Sequence, residues 1–216
     1  KWDDPDFGEQ MLLRFISLSE QAIRANPAPA DYVDASSSQQ KSSSIGMVIW
    51  PESTMNFEYD RDSALRSKLA EFTSRNHIYL LMNTWGFPED AKPGNSLYNS
   101  AVLISPNGEK SAEYDKNALV PFGEYIPARG WIPFLSDVKA LVGDITPGNS
   151  ASLIESAGAE LGTLICFETT RPDLARRMRG AGASTLVQLS NEAWFGPTSA
   201  PRQMLTTAVF RAVENN

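Results

Sequence analysis

The sequence predicts an α/β fold. Short apolar runs of buried-strand type alternate along the chain with segments whose apolar residues recur at helical spacing, and turn signals separate the shorter runs. At 216 residues and 42% hydrophobic composition, the chain has the size and apolar content of one domain with a substantial core. No internal repeat or domain linker is visible.

From about Phe7 to Ala25, Phe7, Met11, Leu12, Phe15, Ile16 and Ile23 fall on one helical face. Pro27 and Pro29 break that pattern. A low-complexity Ser/Gln segment follows from Ser36 to Ser44 and reads as a mobile loop. Ile45 to Trp50 is a buried strand ending at Pro51-Glu52. Asp62 to Arg75 is a helix with Leu65, Leu69 and Phe72 on one face, and Ile78 to Met82 is a second buried strand. Leu97 to Ser105 and Ser111 to Tyr114 are strands joined by the hairpin turn Pro106-Asn107-Gly108-Glu109. Asn117 to Asn149 is long and rich in Pro, Gly and aromatic residues. A loop of that length in a compact domain usually carries function. A second hairpin runs from Ser152 through Gly158 to Cys166. A helix from Asp173 to Arg179, a strand from Thr185 to Leu189 and a helix from Pro201 onward complete the chain.

Charge and composition exclude several function classes. The net charge is −7, and no Lys/Arg run is longer than Arg176-Arg177, so the concentrated basic field of a nucleic-acid surface is missing. One cysteine, Cys166, excludes an intrachain disulfide framework and a multi-cysteine metal site. One histidine, His77, excludes a two-histidine metal site, and leaves no Ser-His-Asp triad unless His77 serves it alone. No stretch approaches the roughly 18 to 20 apolar residues that span a bilayer.

Three segments share one arrangement in which an apolar strand ends and a reactive side chain follows at once. They are Val48-Ile49-Trp50-Pro51-Glu52, Ala112-Glu113-Tyr114-Asp115-Lys116 and Leu164-Ile165-Cys166. Strand ends beside loops are where α/β sheets place ligands. Were the three strands neighbours, a carboxylate, an ammonium and a thiol would converge. A thiol attacks a carbonyl carbon only as thiolate, so it needs a base or an electropositive setting. Glu52 is the candidate base, provided burial raises its pKa. Lys116 is the candidate donor to the oxyanion, with the backbone N–H of Phe167 as a second donor. Singly, a cysteine is more often a small buried hydrophobe, a Glu after Pro a turn residue, and a Lys after a strand a solvated one. The inference rests on their joint occurrence.

Trp50-Pro51-Glu52, Tyr114-Asp115-Lys116 and Cys166-Phe167-Glu168 resemble the Glu-Lys-Cys signature blocks of the nitrilase superfamily. Three further blocks resemble the apolipoprotein N-acyltransferase family: Tyr114 to Pro127, Ser190-Asn191-Glu192-Ala193-Trp194-Phe195-Gly196, and Arg211-Ala212-Val213-Glu214-Asn215. The resemblance runs from Trp2 almost to the end, interrupted by the Ser/Gln segment. It implies a nitrilase-like αββα sandwich on the periplasmic face of a bacterial inner membrane, carried by transmembrane helices. It also implies that an acyl chain passes from a phospholipid to the cysteine as a thioester, and then to the N-terminal amine of a diacylated apolipoprotein. No cofactor or metal is implied. Glu124 matches a family glutamate set against the lysine, and Glu168 a nearby active-site carboxylate. The family usually has Asp at the position of Glu192 and His at that of Met204. The family's membrane helices, a strand before Trp2 and strands after Asn216 have no counterpart here. Residues 1–216 are therefore expected to form a partial nitrilase-like catalytic domain.

An acyl-enzyme awaiting a large second substrate must keep water from its thioester, and apolar side chains would do so. The candidates are Phe122, Trp131 and Phe134 in the long loop, with Trp194 and Phe195 as a second wall. Two alternatives remain open: an amidase using the same three residues on a small amide, and a module that binds without catalysis.

Overall fold

The computed structural model describes residues 5–28, 43–52, 57–87, 97–128 and 145–216. Eleven helices and strands run through them in the order α1 (Pro5–Ala25), β1 (Met47–Ile49), α2 (Ser63–Asn76), β2 (Tyr79–Gly86), β3 (Tyr98–Ile104), β4 (Lys110–Asp115), β5 (Ile154–Ser156), β6 (Ala159–Ile165), α3 (Pro172–Gly180), β7 (Thr185–Leu189) and α4 (Ala200–Glu214). Two short 3-10 helices, Cys166–Thr170 and Glu192–Phe195, follow β6 and β7.

The strands form two sheets, of order β1-β2-β3-β4 and β5-β6-β7. β1 runs parallel to β2, while β2, β3 and β4 pair antiparallel. In the second sheet β5 is antiparallel to β6, and β6 is parallel to β7.

Side-chain alternation sorts the layers, because successive strand residues face opposite ways. Leu80, Met82, Val102 and Ile104 pack with Leu12 and Ile23 of α1 and with Leu65, Leu69 and Phe72 of α2. Their alternates Leu81, Ala101 and Leu103 pack instead with Ile154, Leu161 and Ile165 of the second sheet. On that sheet's other face a Cβ at Gly162 would lie 3.1 Å from Met178 of α3 and 2.8 Å from Leu186, so only glycine allows this approach. The layers are therefore α1 and α2, first sheet, second sheet, α3: the αββα sandwich that the family resemblance implies. Each fully buried Leu or Phe in these layers contributes roughly 1.5–3 kcal/mol.

Element ends follow ordinary local chemistry. The Asp62 side chain accepts from the Leu65 N–H and starts α2, and His77 ends it in the left-handed region at φ 51°. His77 is thus a helix cap with no partner in the chemistry below. β2 runs four residues past the expected Met82, because Asn83-Thr84-Trp85-Gly86 continue the pairing with β3. Most of the Ser/Gln segment lies outside the described residues. At its end Ser43 is buried, and its hydroxyl donates to Asn26 O at 2.8 Å.

Candidate active site

The C-terminal ends of β1, β2 and β4 and the start of β3 lie at one end of the first sheet, facing the end of β6 across the sandwich. Each reactive side chain is the first or nearly the first to follow its strand. Glu52 is rooted by Trp50, whose N–H donates to Leu81 O at 2.9 Å and whose ring packs on Phe15 and Phe72. Lys116 follows β4, where its own N–H donates to Asn99 O at 2.9 Å and its carbonyl accepts from the Gly148 N–H at 2.8 Å. A Cβ at Gly148 would come within 2.3 Å of Asp115 O, so glycine lets the end of the long loop close on the strand end. Cys166 follows β6 with φ 51°, a left-handed conformation that a non-glycine residue adopts only under constraint.

β1 and β4 are not neighbours, as convergence in the simplest form would require. They are opposite edges of the sheet, two strands apart. Two asparagines bridge the gap. The Asn99 amide nitrogen donates to Glu52 Oε1 at 3.1 Å and to Glu124 Oε1 at 3.2 Å, and Asn99 Oδ1 accepts from Asn83 Nδ2 at 2.7 Å. Asn83 in turn donates to Ser100 O at 2.8 Å. Sequence reasoning did not single out either residue. The available signal was an amide side chain inside a strand whose neighbours are apolar, since a buried amide needs partners.

Lys116 is 1% exposed, and Glu52 and Glu124 are each 6% exposed. The ammonium lies 2.8 Å from Glu124 Oε1 and 3.7 Å from Glu52 Oε1. The asymmetry matters. Glu124 is the closer ion partner, and its second oxygen accepts the Val120 N–H at 2.8 Å, so both of its oxygens are engaged. Glu52 is held by Asn99 and lies close enough to the Cys166 thiol for each to shift the other's pKa, with the lysine at 3.7 Å.

Electrostatics follow from two carboxylates and one ammonium in a buried space. Burial raises the Glu52 pKa above the ordinary carboxylate value, and nearby Glu124 adds to this. Lys116 and the hydrogen bonds from Asn99 and Cys166 oppose the rise without cancelling it. Burial alone would lower the Lys116 pKa, but Glu52, Glu124 and Cys166 outweigh it and raise it, so the lysine stays charged. Burial and the negative charge of Glu52 push the Cys166 thiol up to about 12. At neutral pH the sulfur therefore carries its proton, and a reaction at sulfur needs a base within reach. Glu52 has the position and the raised pKa that such a base would need.

Glu168 is fully buried, but its hydrogen bonds go to the strand ends and do not include the thiol. Oε1 accepts from the Tyr114 hydroxyl at 2.9 Å, the Asn117 N–H at 2.6 Å and the Ala118 N–H at 3.0 Å. Oε2 accepts from the Ile165 N–H at 2.9 Å. One carboxylate thus ties the loop after Lys116 to the residue before Cys166. Phe167 is half-buried in the 3-10 helix directly after the thiol. Phe122 and Phe195 are 62% and 47% exposed. Trp131, Phe134 and the side chain of Trp194 lie outside the described residues. Among the described residues no group of His, Cys, Asp and Glu has a metal-binding arrangement, and no helix is long and apolar enough to cross a membrane.

Known proteins give a consistent comparison. The chain is 34% identical to the apolipoprotein N-acyltransferase of Geobacter metallireducens over 215 residues, which is all of this chain and 38% of that protein. It is 29% identical to the apolipoprotein N-acyltransferase of Rickettsia prowazekii, again across the whole chain and 39% of the relative. The chain thus spans about two fifths of the length of these curated relatives. Among solved structures it resembles Saccharomyces cerevisiae Nit3, a nitrilase-superfamily member. There the TM-score is 0.64 at 17% identity, covering 97% of this chain and 67% of that one. It also resembles an amidase of that superfamily from Nesterenkonia, with TM-score 0.58 at 19% identity, covering 94% and 67%. At such identities the likeness shows the fold, which is nitrilase-like. The carbon-nitrogen hydrolase family profile matches residues 14–216. With an αββα sandwich, a carboxylate, lysine and cysteine at its strand ends, and this match over nearly the whole chain, the protein belongs to the carbon-nitrogen hydrolase family.

Proposed function

We propose that this chain is the catalytic part of an N-acyltransferase. It would take a fatty acyl group from a phospholipid onto Cys166 and pass it to the N-terminal amine of a diacylated apolipoprotein. The observation that carries the chemistry is the buried cluster in which Glu52 lies beside a thiol pushed up to about 12 by burial and by that carboxylate, next to an ammonium paired mainly with Glu124. The choice of substrates draws its support from the curated relatives, which are named apolipoprotein N-acyltransferases.

In this reading Glu52 takes the thiol proton as sulfur attacks the ester carbonyl. Lys116 donates to the oxyanion, with the Phe167 N–H as second donor. Collapse expels the lysophospholipid oxygen, protonated by Glu52, and leaves the thioester. Glu52 then takes the proton of the incoming amine. Glu124 and Asn99 hold Lys116 and Glu52 in register, and Glu168 fixes the two strand ends. The site needs no cofactor or metal for these steps. The whole protein would act at the periplasmic face of a bacterial inner membrane, with membrane attachment through segments outside this chain.

A second reading has support from the solved structures of amidases, in which the same residues would hydrolyse a small amide. The exposed rings of Phe122 and Phe195 at the loop and beyond β7 favour a lipid over a small polar substrate. The deciding experiment supplies the intact protein with phospholipid and a diacylated peptide bearing a free amine, and in parallel with small amides. Triacylated peptide without ammonia release supports the acyltransferase. Rapid ammonia release with no peptide product would replace it with the amidase.

A further inference from the structure

Cys166 and Ser190 are the first residues past two parallel, hydrogen-bonded strands. Ile165 is paired with Leu189, so the next residue on each strand lies beside the other. Ser190 thus stands next to Cys166 at the strand ends, where its hydroxyl acts to lower the pKa of the thiol. The same hydroxyl makes a short hydrogen bond to Glu192 Oε1. The other carboxylate oxygen, Glu192 Oε2, is buried and has no hydrogen-bond partner among the described residues. Glu192 opens the 3-10 helix Glu192–Phe195, whose start is fixed by Asn191 accepting the Ala193 N–H at 3.1 Å. The carboxylate thus reaches the Ser190 hydroxyl from two positions further along the chain.

A serine hydroxyl has one proton to donate. It cannot donate to Glu192 and to sulfur together. We propose that Ser190 is a third group acting on the Cys166 sulfur, donating to Glu192 while the sulfur is neutral and turning its O–H onto the sulfur when the sulfur carries negative charge.

The proposal rests on Cys166 being the acyl carrier. In the second half-reaction the amine nitrogen bonds to the thioester carbon and its proton goes to Glu52. The C–S bond then breaks, and its electron pair stays on sulfur. Among the described residues the charged groups acting on that sulfur are Glu52 and Lys116, with Glu124 paired to the lysine and Glu192 hydrogen-bonded to Ser190. Lys116 is already shared between two carboxylates. Ser190 adds a neutral donor to the nascent thiolate with no proton transfer of its own. Glu52 next returns its proton to sulfur, and the hydroxyl swings back to Glu192. Glu192 thereby holds the donor ready and also competes for it.

The test is the rate at which iodoacetamide alkylates Cys166 in the intact protein, at a fixed pH below the thiol pKa, where the rate follows the thiolate population. Ser190→Ala should react about tenfold more slowly, the value of one hydrogen bond to a charged acceptor. Ser190→Thr, which keeps the hydroxyl, should recover most of that loss. Glu192→Gln should react several-fold faster, because its amide donates to Ser190 Oγ and frees the hydroxyl proton for sulfur. Opposite signs at the two positions are the signature, since simple loosening would move both the same way. An unchanged rate in Ser190→Ala, or a slower one in Glu192→Gln, overturns the proposal. Should Ser190→Ala unfold, Glu192→Gln decides alone: a faster rate supports the hydroxyl switch, and an equal or slower one ends it. The readout uses neither acyl donor nor acceptor, so failure of the acyl-transfer reading would show separately, as absence of any acyl adduct.

Discussion

Lys116 sits between two carboxylates and leans toward one of them, and that preference of nearly an ångström separates their roles. With Glu124 at 2.8 Å and Glu52 at 3.7 Å, the lysine charge is balanced mainly by a residue that has no contact with sulfur. Glu52 keeps a raised pKa beside the thiol. Glu52→Gln and Lys116→Met should each lower the rate of acyl transfer by at least about two orders of magnitude, roughly 3 kcal/mol of barrier, as for loss of an oxyanion donor. Steady-state kinetics of the intact protein would show it. The pH profile follows from the same shift. The base must be ionised, and its pKa lies above the ordinary carboxylate value. Activity should therefore fall with decreasing pH before ordinary carboxylates protonate, and a kcat/KM profile with its acid limb at or below the unperturbed glutamate range would contradict this. Cys166→Ser should be nearly inactive, because a carboxylate is too weak a base for an alcohol.

At the scale of elements, the site depends on where strands stop and how their ends are tied. Glu168 accepts four hydrogen bonds from the ends of β4 and β6. Glu168→Gln would turn an N–H toward one of those donors. It should cost about 1–3 kcal/mol, the usual penalty for an unsatisfied buried group, measured as a lower Tm. Asn99→Ala should cost activity more than stability, since it removes the bridge between Glu52 and Glu124 and leaves β3 paired on both sides. Gly148→Ala should do the reverse of a harmless loop change, pushing the backbone off Asp115 and displacing Lys116. Much of this scale was legible in the sequence. Apolar runs marked β1, β3, β6 and β7, helical spacing marked α1 and α2, and the reactive residues announced themselves by following strands. The asparagine bridge was not legible, because it exists only if β1 and β4 are opposite edges. Strand order is a long-range property that local pattern does not encode. Nor did local pattern reveal that Glu168 ties strand ends together, since its four donors come from residues up to 54 positions away. Ser190 was visible only as part of a family-like block, and its contact with Cys166 depends on the parallel register of β6 and β7.

Across the whole molecule, four layers bring the end of one sheet against the end of the other, and the thiol of the second sheet meets the carboxylate and ammonium of the first. The rings of Phe122, two residues before Glu124, and of Phe195, five residues after Ser190, are exposed. Trading both for alanine should weaken use of phospholipid more than use of a small water-soluble thioester donor, which a side-by-side rate comparison would detect. The central claim is that Cys166 holds the acyl group between two substrates. Mass spectrometry of the intact protein, incubated with phospholipid and no acceptor, tests it most directly. A fatty-acyl mass increment should appear on the Cys166 peptide, be absent in Cys166→Ala and be discharged when a diacylated peptide with a free amine is added. Triacylated peptide formed by the Cys166→Ala protein, or turnover of phospholipid with no adduct on Cys166 at any time point, would contradict it.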